Sequence, residues 1–211
     1  MLALERSLWE GGASYVAGVD EAGRGALAGP VVAAAVILPR SMLIRGLNDS
    51  KQLTPAARDR LYVVISCAAL GIGVGVVDHE GIDRENIRRA NLRAMRQAVD
   101  ALPLRPDHLL IDGVDCIDWP WPQTPVIDGD AKSLSVAAAS VMAKVTRDRL
   151  MVECDQRYPG YGFARHKGYG TAEHIEAINQ HGLCPIHRRS FRVTRHNGFR
   201  SPPSRGQVSR E

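Results

Sequence analysis

YVAGVDEAGRGALAGPVVAAAVIL, residues Tyr15–Leu38, sets two apolar runs on either side of an acidic pair and a glycine-rich turn. Tyr15–Val19 and Val31–Leu38 are rich in small and β-branched residues and are bounded by Gly and Pro, the pattern of two sequential buried strands. Asp20 and Glu21 close the first run. A carboxylate at the end of an apolar strand is partly desolvated, which is costly unless a cation, a proton or several donors compensate it. Two in succession point to a metal. Gly23, Arg24 and Gly25 then place a yielding backbone and one cationic side chain beside the acids, so that an anion can come close. An acidic β-turn joining two strands, with no chemistry at all, accounts for the same residues, and this stretch alone does not separate the two readings.

Downstream, PRSMLIRGLNDSKQLTP reads as a connection with Asp49, Ser50 and Lys51 at its polar apex. Thr54 is placed to cap a helix with Pro55 in its first turn, and Leu61, Val64, Ile65, Ala68 and Ala69 mark its apolar face. Gly71–Val77 alternates Gly with Ile and Val, a third strand whose glycines admit a close neighbour. The apolar spacing of Ile87, Ala90, Ala94, Met95, Ala98, Val99 and Leu102 predicts one long helix from about Asp83, ended by Pro103 and Pro106. Asp107–Ile111 is a short strand that runs into Asp112 and Gly113, and Pro125–Ile127 a second short run before Asp128, Gly129 and Asp130. Ser133–Tyr158 lacks Gly and Pro and is apolar nearly all round in its first half, which suits a helix packed centrally on a sheet. A glycine-rich loop, YGFARHKGYGT, leads into a helix over Thr171–His181. Its aromatic and basic residues serve loop packing, or stacking on a sugar with a phosphate contact.

At 211 residues the chain is long enough for one main core, and 45% apolar with 24% charged residues excludes a largely disordered or fibrous protein. Val31–Leu38 is far too short to span a membrane, and the N-terminus does not read as a signal peptide, so no membrane partner and a cytoplasmic location are expected. Cys67, Cys116, Cys154 and Cys184 are scattered and read as free, packed thiols, and the His residues show no zinc spacing. Charge is uneven: His187–Glu211 carries seven Arg against one acid, a net of 7 − 1 = +6, leaving 20 basic against 22 acidic residues, or −2, in the rest. Such a tail fits a polyanionic partner through counterion release, and equally a solvated terminus.

Asp20/Glu21, Asp112 and Asp130 each stand where an apolar strand ends or a helix begins, positions that converge at one edge of an α/β sheet. Four carboxylates without a His or Cys partner suit Mg²⁺ or Mn²⁺ better than zinc. A carboxylate cluster holding two such ions supports phosphodiester hydrolysis.

In that light the chain resembles bacterial ribonuclease HII, the type 2 ribonuclease H family. The matching motifs, in order, are VDEAGRGALAGPVVAAAVIL, LNDSKQLT, LLIDG, GDAKSLSVAAASVMAKVTRD, YGFARHKGYGT and HRRSF, from about Tyr15 to Phe191. Ala26 stands where the family usually has Pro, which bears on the rigidity of the turn. The resemblance implies a ribonuclease H-like α/β fold: a central mixed five-stranded sheet flanked by helices, with a small C-terminal helical region. Residues 1–185 would form the catalytic domain and 186–211 a basic tail. It implies Asp20, Glu21, Asp112 and Asp130 as catalytic carboxylates holding two divalent ions, Mg²⁺ or Mn²⁺. Gly23, Arg24 and Gly25 would sense a ribose 2′-OH, Tyr169 would pack on the neighbouring deoxyribose, and Lys51 and Lys167 would contact phosphate. The implied substrates are RNA/DNA hybrids and duplex DNA with an embedded ribonucleotide, incised on its 5′ side to leave 3′-OH and 5′-phosphate ends by a monomeric enzyme. A hybrid nuclease of ribonuclease HIII-like specificity and a non-catalytic nucleic-acid-binding protein are the alternatives.

Overall fold

A computed structural model describes residues 1–42, 44, 46–47 and 53–192; Asp49, Ser50, Lys51 and the chain beyond Arg192 lie outside the described residues. In chain order the elements are α1 (Ala3–Glu10), β1 (Val16–Ala22), β2 (Val31–Ile37), α2 (Pro55–Ala68), β3 (Gly71–Val77), α3 (His79–Glu85), α4 (Ile87–Asp100), β4 (His108–Asp112), β5 (Gln123–Val126), α5 (Gly129–Lys132), α6 (Leu134–Arg157), α7 (Phe163–His166) and α8 (Ala172–His181). The strands form one mixed five-stranded sheet in the order β3-β2-β1-β4-β5. β1, β2 and β3 pair antiparallel, whereas β4 and β5 run parallel to β1.

Both faces of the sheet are covered, so β2, VVAAAVI, is buried at every position rather than alternating. Ala33, Ala35 and Ile37 pack with Ala94, Met95 and Ala98 of α4, and Ala34 and Val36 with Ala138, Val141 and Met142 of α6 on the other side. Small residues bring both helices close. A Cβ at Gly73 or Gly75 of β3 would sit 2.0 Å from the carbonyl oxygen of Ala98 or Ala94 of α4. This is the close neighbour that the glycine alternation predicts.

Thr54 caps α2 by accepting from Ala57 N–H, as its position before Pro55 leads one to expect. The single helix expected from Asp83 is two. Asn86, at φ 73° and ψ 160°, ends α3, and its side chain caps α4 by accepting from Arg89 N–H. Asp83 therefore belongs to α3, where its carboxylate accepts from the main-chain N–H groups of Arg189 and Ser190. α1 has no counterpart in the sequence reading. It carries a buried glutamate, Glu5, whose Oε1 accepts from Ser133 Oγ at 2.6 Å and Ser135 N–H at 2.9 Å, placing an acceptor oxygen at the N-terminus of α6.

A domain boundary at 185/186 does not match the packing. Gly29 N–H donates to Ile186 O, Ala28 bridges to His187, and His187 and Arg188 are buried. His187 and Arg188 thus pack into the domain despite their hydrophilic appearance in sequence. No helix among the described residues is long and apolar enough to cross a membrane.

Around Phe163 and Met151 a satellite core holds a chain of three histidine hydrogen bonds. Cys184 N–H donates to His187 Nδ1 at 3.0 Å, so Nε2 of that ring carries the proton and donates to His174 Nε2 at 3.0 Å. His174 Nδ1 then donates to Tyr169 O at 2.9 Å. The chain closes only with both rings neutral, and burial holds each at a pKa of about 4 against an ordinary 6.5. The unfolded chain therefore binds more protons in that window: the stabilisation is complete above pH 6.5 and is lost as pH falls toward 4. Denaturant titrations should show stability falling with a slope approaching two protons over this range. A flat profile would exclude neutral, chain-forming rings.

Candidate active site

β1 and β4 run parallel and end at the same sheet edge, with Val19 opposite Ile111. One residue further, Asp20 and Asp112 stand side by side. β1 continues through both acids to Ala22 rather than stopping at Val19, because Asp20, Glu21 and Ala22 pair with Ala34, Ala33 and Val32 of β2. Strand alternation then sends the two acidic side chains to opposite faces. Asp20 turns to α6, where the Ser140 hydroxyl donates to it, and Glu21 turns to α4, where the Asn91 amide donates. Glu21 N–H also donates to Asp20 Oδ1 at 2.6 Å, and Gly129 N–H to Asp112 Oδ1 at 2.7 Å.

Asp20 is 5% exposed. Burial raises its pKa well above the ordinary carboxylate range, the charges of Glu21 and Asp112 raise it further, and the hydrogen bonds from Ser140 and Glu21 only partly offset this. Burial raises Glu21 as well, opposed by Arg24, whose guanidinium lies 3.7 Å from it, and by Asn91. The site thus concentrates negative charge that its own cations leave uncompensated.

Asp20, Glu21 and Asp112 line a cavity of about 330 Å³ together with Gly23, Arg24, Gly25, Arg58, Ser140, Lys144 and Tyr169. Asp130 is not on that lining: it is buried on α5, next in sequence to Gly129, whose N–H holds Asp112. Among the described residues no three His, Cys, Asp or Glu side chains are gathered tightly enough to hold an ion as they stand. Lys167 lies in an adjoining cavity of about 640 Å³ that shares Arg58, Lys144 and Tyr169 with the first; its Nζ donates to Ala164 O. The expected contact of Lys51 falls outside the described residues.

Gly23 is required by conformation and by space, since its φ is +93° and a Cβ would lie 1.9 Å from Arg147 Nε. Gly25 is required by neither: its φ is ordinary and nothing lies within 4 Å of a Cβ there. Ala26 N–H donates to Gly23 O at 3.3 Å, a bond that proline could not make, so this turn is closed by a hydrogen bond where a ring would otherwise stiffen it.

Ser140, Asn91, Arg58 and Lys144 join the site without having been expected. Only Asn91 carries a sequence signal, a polar residue beside Ala90 and Ala94 on an otherwise apolar stripe; its Oδ1 is buried without a partner.

A sequence model described as Ribonuclease HII matches residues 17–194. The chain is 56% identical over 195 residues to a ribonuclease HII of Geobacter metallireducens, covering 89% of this chain and 92% of that one. To a ribonuclease HII of Geobacter sulfurreducens it is 59% identical over 180 residues, covering 85% and 83%. Its structure is similar to the crystal structure of ribonuclease H2 from Pyrococcus horikoshii, with a TM-score of 0.73 at 29% identity, covering 85% of this chain and 94% of the other.

Proposed function

Because the chain belongs to the ribonuclease HII family, and is by that membership a ribonuclease H endonuclease, we propose that its carboxylate cavity cleaves the RNA strand of RNA/DNA hybrids and incises duplex DNA 5′ of a single ribonucleotide. One observation carries this reading of the site. Asp20, Glu21 and Asp112 share a single cavity with Gly23–Gly25 and Tyr169, an acidic wall beside one made of backbone and an aromatic ring.

The donor set fits a hard divalent cation, Mg²⁺ or Mn²⁺: all oxygen, half-buried or buried, and mutually repelling. Asp20, Glu21 and Asp112 would hold it, with Asp130 as a fourth ligand reached from α5. When bound, such ions supply charge stabilisation of the phosphate and a lowered pKa for attacking water. The protein's own groups do the rest. Ser140 and Glu21 N–H fix Asp20, Asn91 and Arg24 fix Glu21, and Gly129 N–H fixes Asp112, so the acids are held before substrate arrives. Arg58 and Lys144 line the cavity as counter-charges for a phosphate, and the Tyr169 ring offers a flat face to a sugar. The amides of the glycine turn can meet a 2′-OH, the one group that distinguishes RNA from DNA there. A protein that only bound nucleic acid would gain nothing from a buried acid cluster that repels phosphate.

A labelled duplex with one ribonucleotide, incubated with Mg²⁺ and separately with Mn²⁺, should be cut on the 5′ side of that nucleotide. No product in either metal overturns the substrate assignment. Gly25→Ala tests the turn on the same duplex. It should change stability by less than about 0.5 kcal/mol, because the Cβ enters open space. It should slow incision by at least about tenfold, because that space is where the sugar must approach. Wild-type incision by this variant would remove the turn from substrate recognition.

A further inference from the structure

Arg147 and Arg188 are 0% and 2% exposed, and their guanidinium groups are directed at main-chain carbonyls. Arg147, on α6, donates from Nε to Pro30 O at 2.9 Å, from Nη1 to Lys167 O at 2.9 Å and from Nη2 to Ala28 O at 3.2 Å. Arg188 donates from Nε to Gly29 O at 3.0 Å and from Nη1 to Arg24 O at 3.0 Å. Its Nη2 reaches Gly23 O at 2.7 Å and Pro30 O at 3.1 Å. The Pro30 carbonyl is shared by both. The acceptors are the turn between β1 and β2 and the loop that carries Tyr169.

Burying two like charges close together is expensive, and apolar side chains would hold a surface turn at lower cost. What carbonyl bonds add is orientation. In a planar trans peptide the C=O and the next N–H point in opposite directions. Holding Gly23 O and Arg24 O on buried Arg188 therefore turns the amides of Arg24 and Gly25 away from it, and both residues line the carboxylate cavity. The second loop is tied to the same frame: Leu27 N–H donates to Gly168 O at 2.8 Å, and the Arg147 guanidinium carbon lies 5.2 Å from the centre of the Tyr169 ring. Burial and the neighbouring Arg147 lower the Arg188 pKa to about 9, which leaves it protonated at neutral pH with every donor available.

We propose that Arg188 and Arg147 form a clamp that sets ribonucleotide selection: positioning residues that touch no substrate themselves but fix the Gly23–Pro30 turn and the Tyr169 loop against each other. The clamp rests on the substrate reading given above. It predicts that the two guanidiniums matter most where a single phosphodiester is cleavable, because a displaced turn then has no other register to use. A continuous hybrid offers alternative registers.

Arg188→Lys and Arg147→Lys keep the charge but replace a planar fork with one point donor. Rates of both variants and wild type are measured on the single-ribonucleotide duplex and on a continuous RNA/DNA hybrid. Loss of folded enzyme scales both rates equally, so their ratio is insensitive to a purely structural role. For Arg188→Lys the ratio of single-ribonucleotide to hybrid cleavage should fall by about tenfold or more, through kcat rather than KM. An unchanged ratio in both lysine variants, with wild type cutting both substrates, overturns the clamp alone. A wild type that cuts only the continuous hybrid overturns the ribonucleotide reading itself. Should Arg188→Lys not fold, Phe191→Leu decides. Its ring centre lies 5.0 Å from the Arg188 guanidinium, and loosening that contact should move the ratio the same way; a ratio that does not move overturns the proposal.

Discussion

Asp20→Asn should abolish cleavage, by about a thousandfold or more, and at the same time raise the melting temperature of the metal-free protein at neutral pH. The two effects share a cause. Asp20 is buried beside Glu21 and Asp112, and its pKa in the fold lies well above its value in the unfolded chain. An acid shifted in that direction favours the fold when protonated, so its contribution is present in acid and is lost as pH rises through the ordinary carboxylate range toward the raised folded value. Asparagine removes the charge but keeps the shape. Its stabilisation should therefore appear at neutral pH and disappear in acid. The same uncompensated charge is what a divalent cation would neutralise, and a ligand that binds only the folded state stabilises it. Mg²⁺ should raise the melting temperature of wild type more than that of Asp20→Asn. Normal turnover by the variant, or an equal Mg²⁺ response in the two proteins, would take Asp20 out of the cation site.

That Asp20 and Asp112 meet was legible in the sequence because each follows an apolar run that can only be a buried strand, and parallel neighbours end at a common edge. The opposite facing of Asp20 and Glu21 was hidden by bounding the first strand at Val19 and setting both acids at its end. Once β1 is seen to pair through Ala22, alternation separates them and explains why one needs Ser140 and the other Asn91. Asp130 reads as an equal member of the acid set, and the structure buries it on α5, which follows a turn where Asp128 takes φ 54°.

Long-range polar contacts were the least legible. Arg188 sits in a stretch whose composition resembles a solvated basic tail, and Arg147 in a helix that reads as apolar and then charged. Their partners are carbonyls, which leave no trace in residue identity, and all but Lys167 O lie 117 to 165 positions away in the chain. Glu5 is a similar case. Nothing in MLALERSLWE marks one glutamate as buried, because its acceptors' partners, Ser133 and Ser135, are equally unremarked 128 and 130 residues later. The break at Asn86 was missed because apolar spacing continues across it and only the capping chemistry of Asn86 marks the join.

Gly18→Ala should damage both stability and activity through a single methyl. A Cβ at Gly18 would lie 2.1 Å from Ser135 C and 2.2 Å from Val136 N, so it would strike the backbone of α6 and not a side chain able to rotate away. α6 is held there at two points: Glu5 and Ser133 pin its N-terminus, and Arg147, midway along it, is bonded to the turn beyond β1. The helix must therefore lift as a unit, at a cost of roughly 3 kcal/mol and a drop in melting temperature of roughly 10 °C. Lifting α6 also withdraws Ser140 and Lys144 from the cavity. Activity per folded molecule should accordingly fall as well, which separates this variant from one that merely lowers the folded fraction. Equilibrium unfolding paired with active-site titration would measure both quantities. A Gly18→Ala protein of wild-type stability would mean that α6 does not rest on β1 through this glycine.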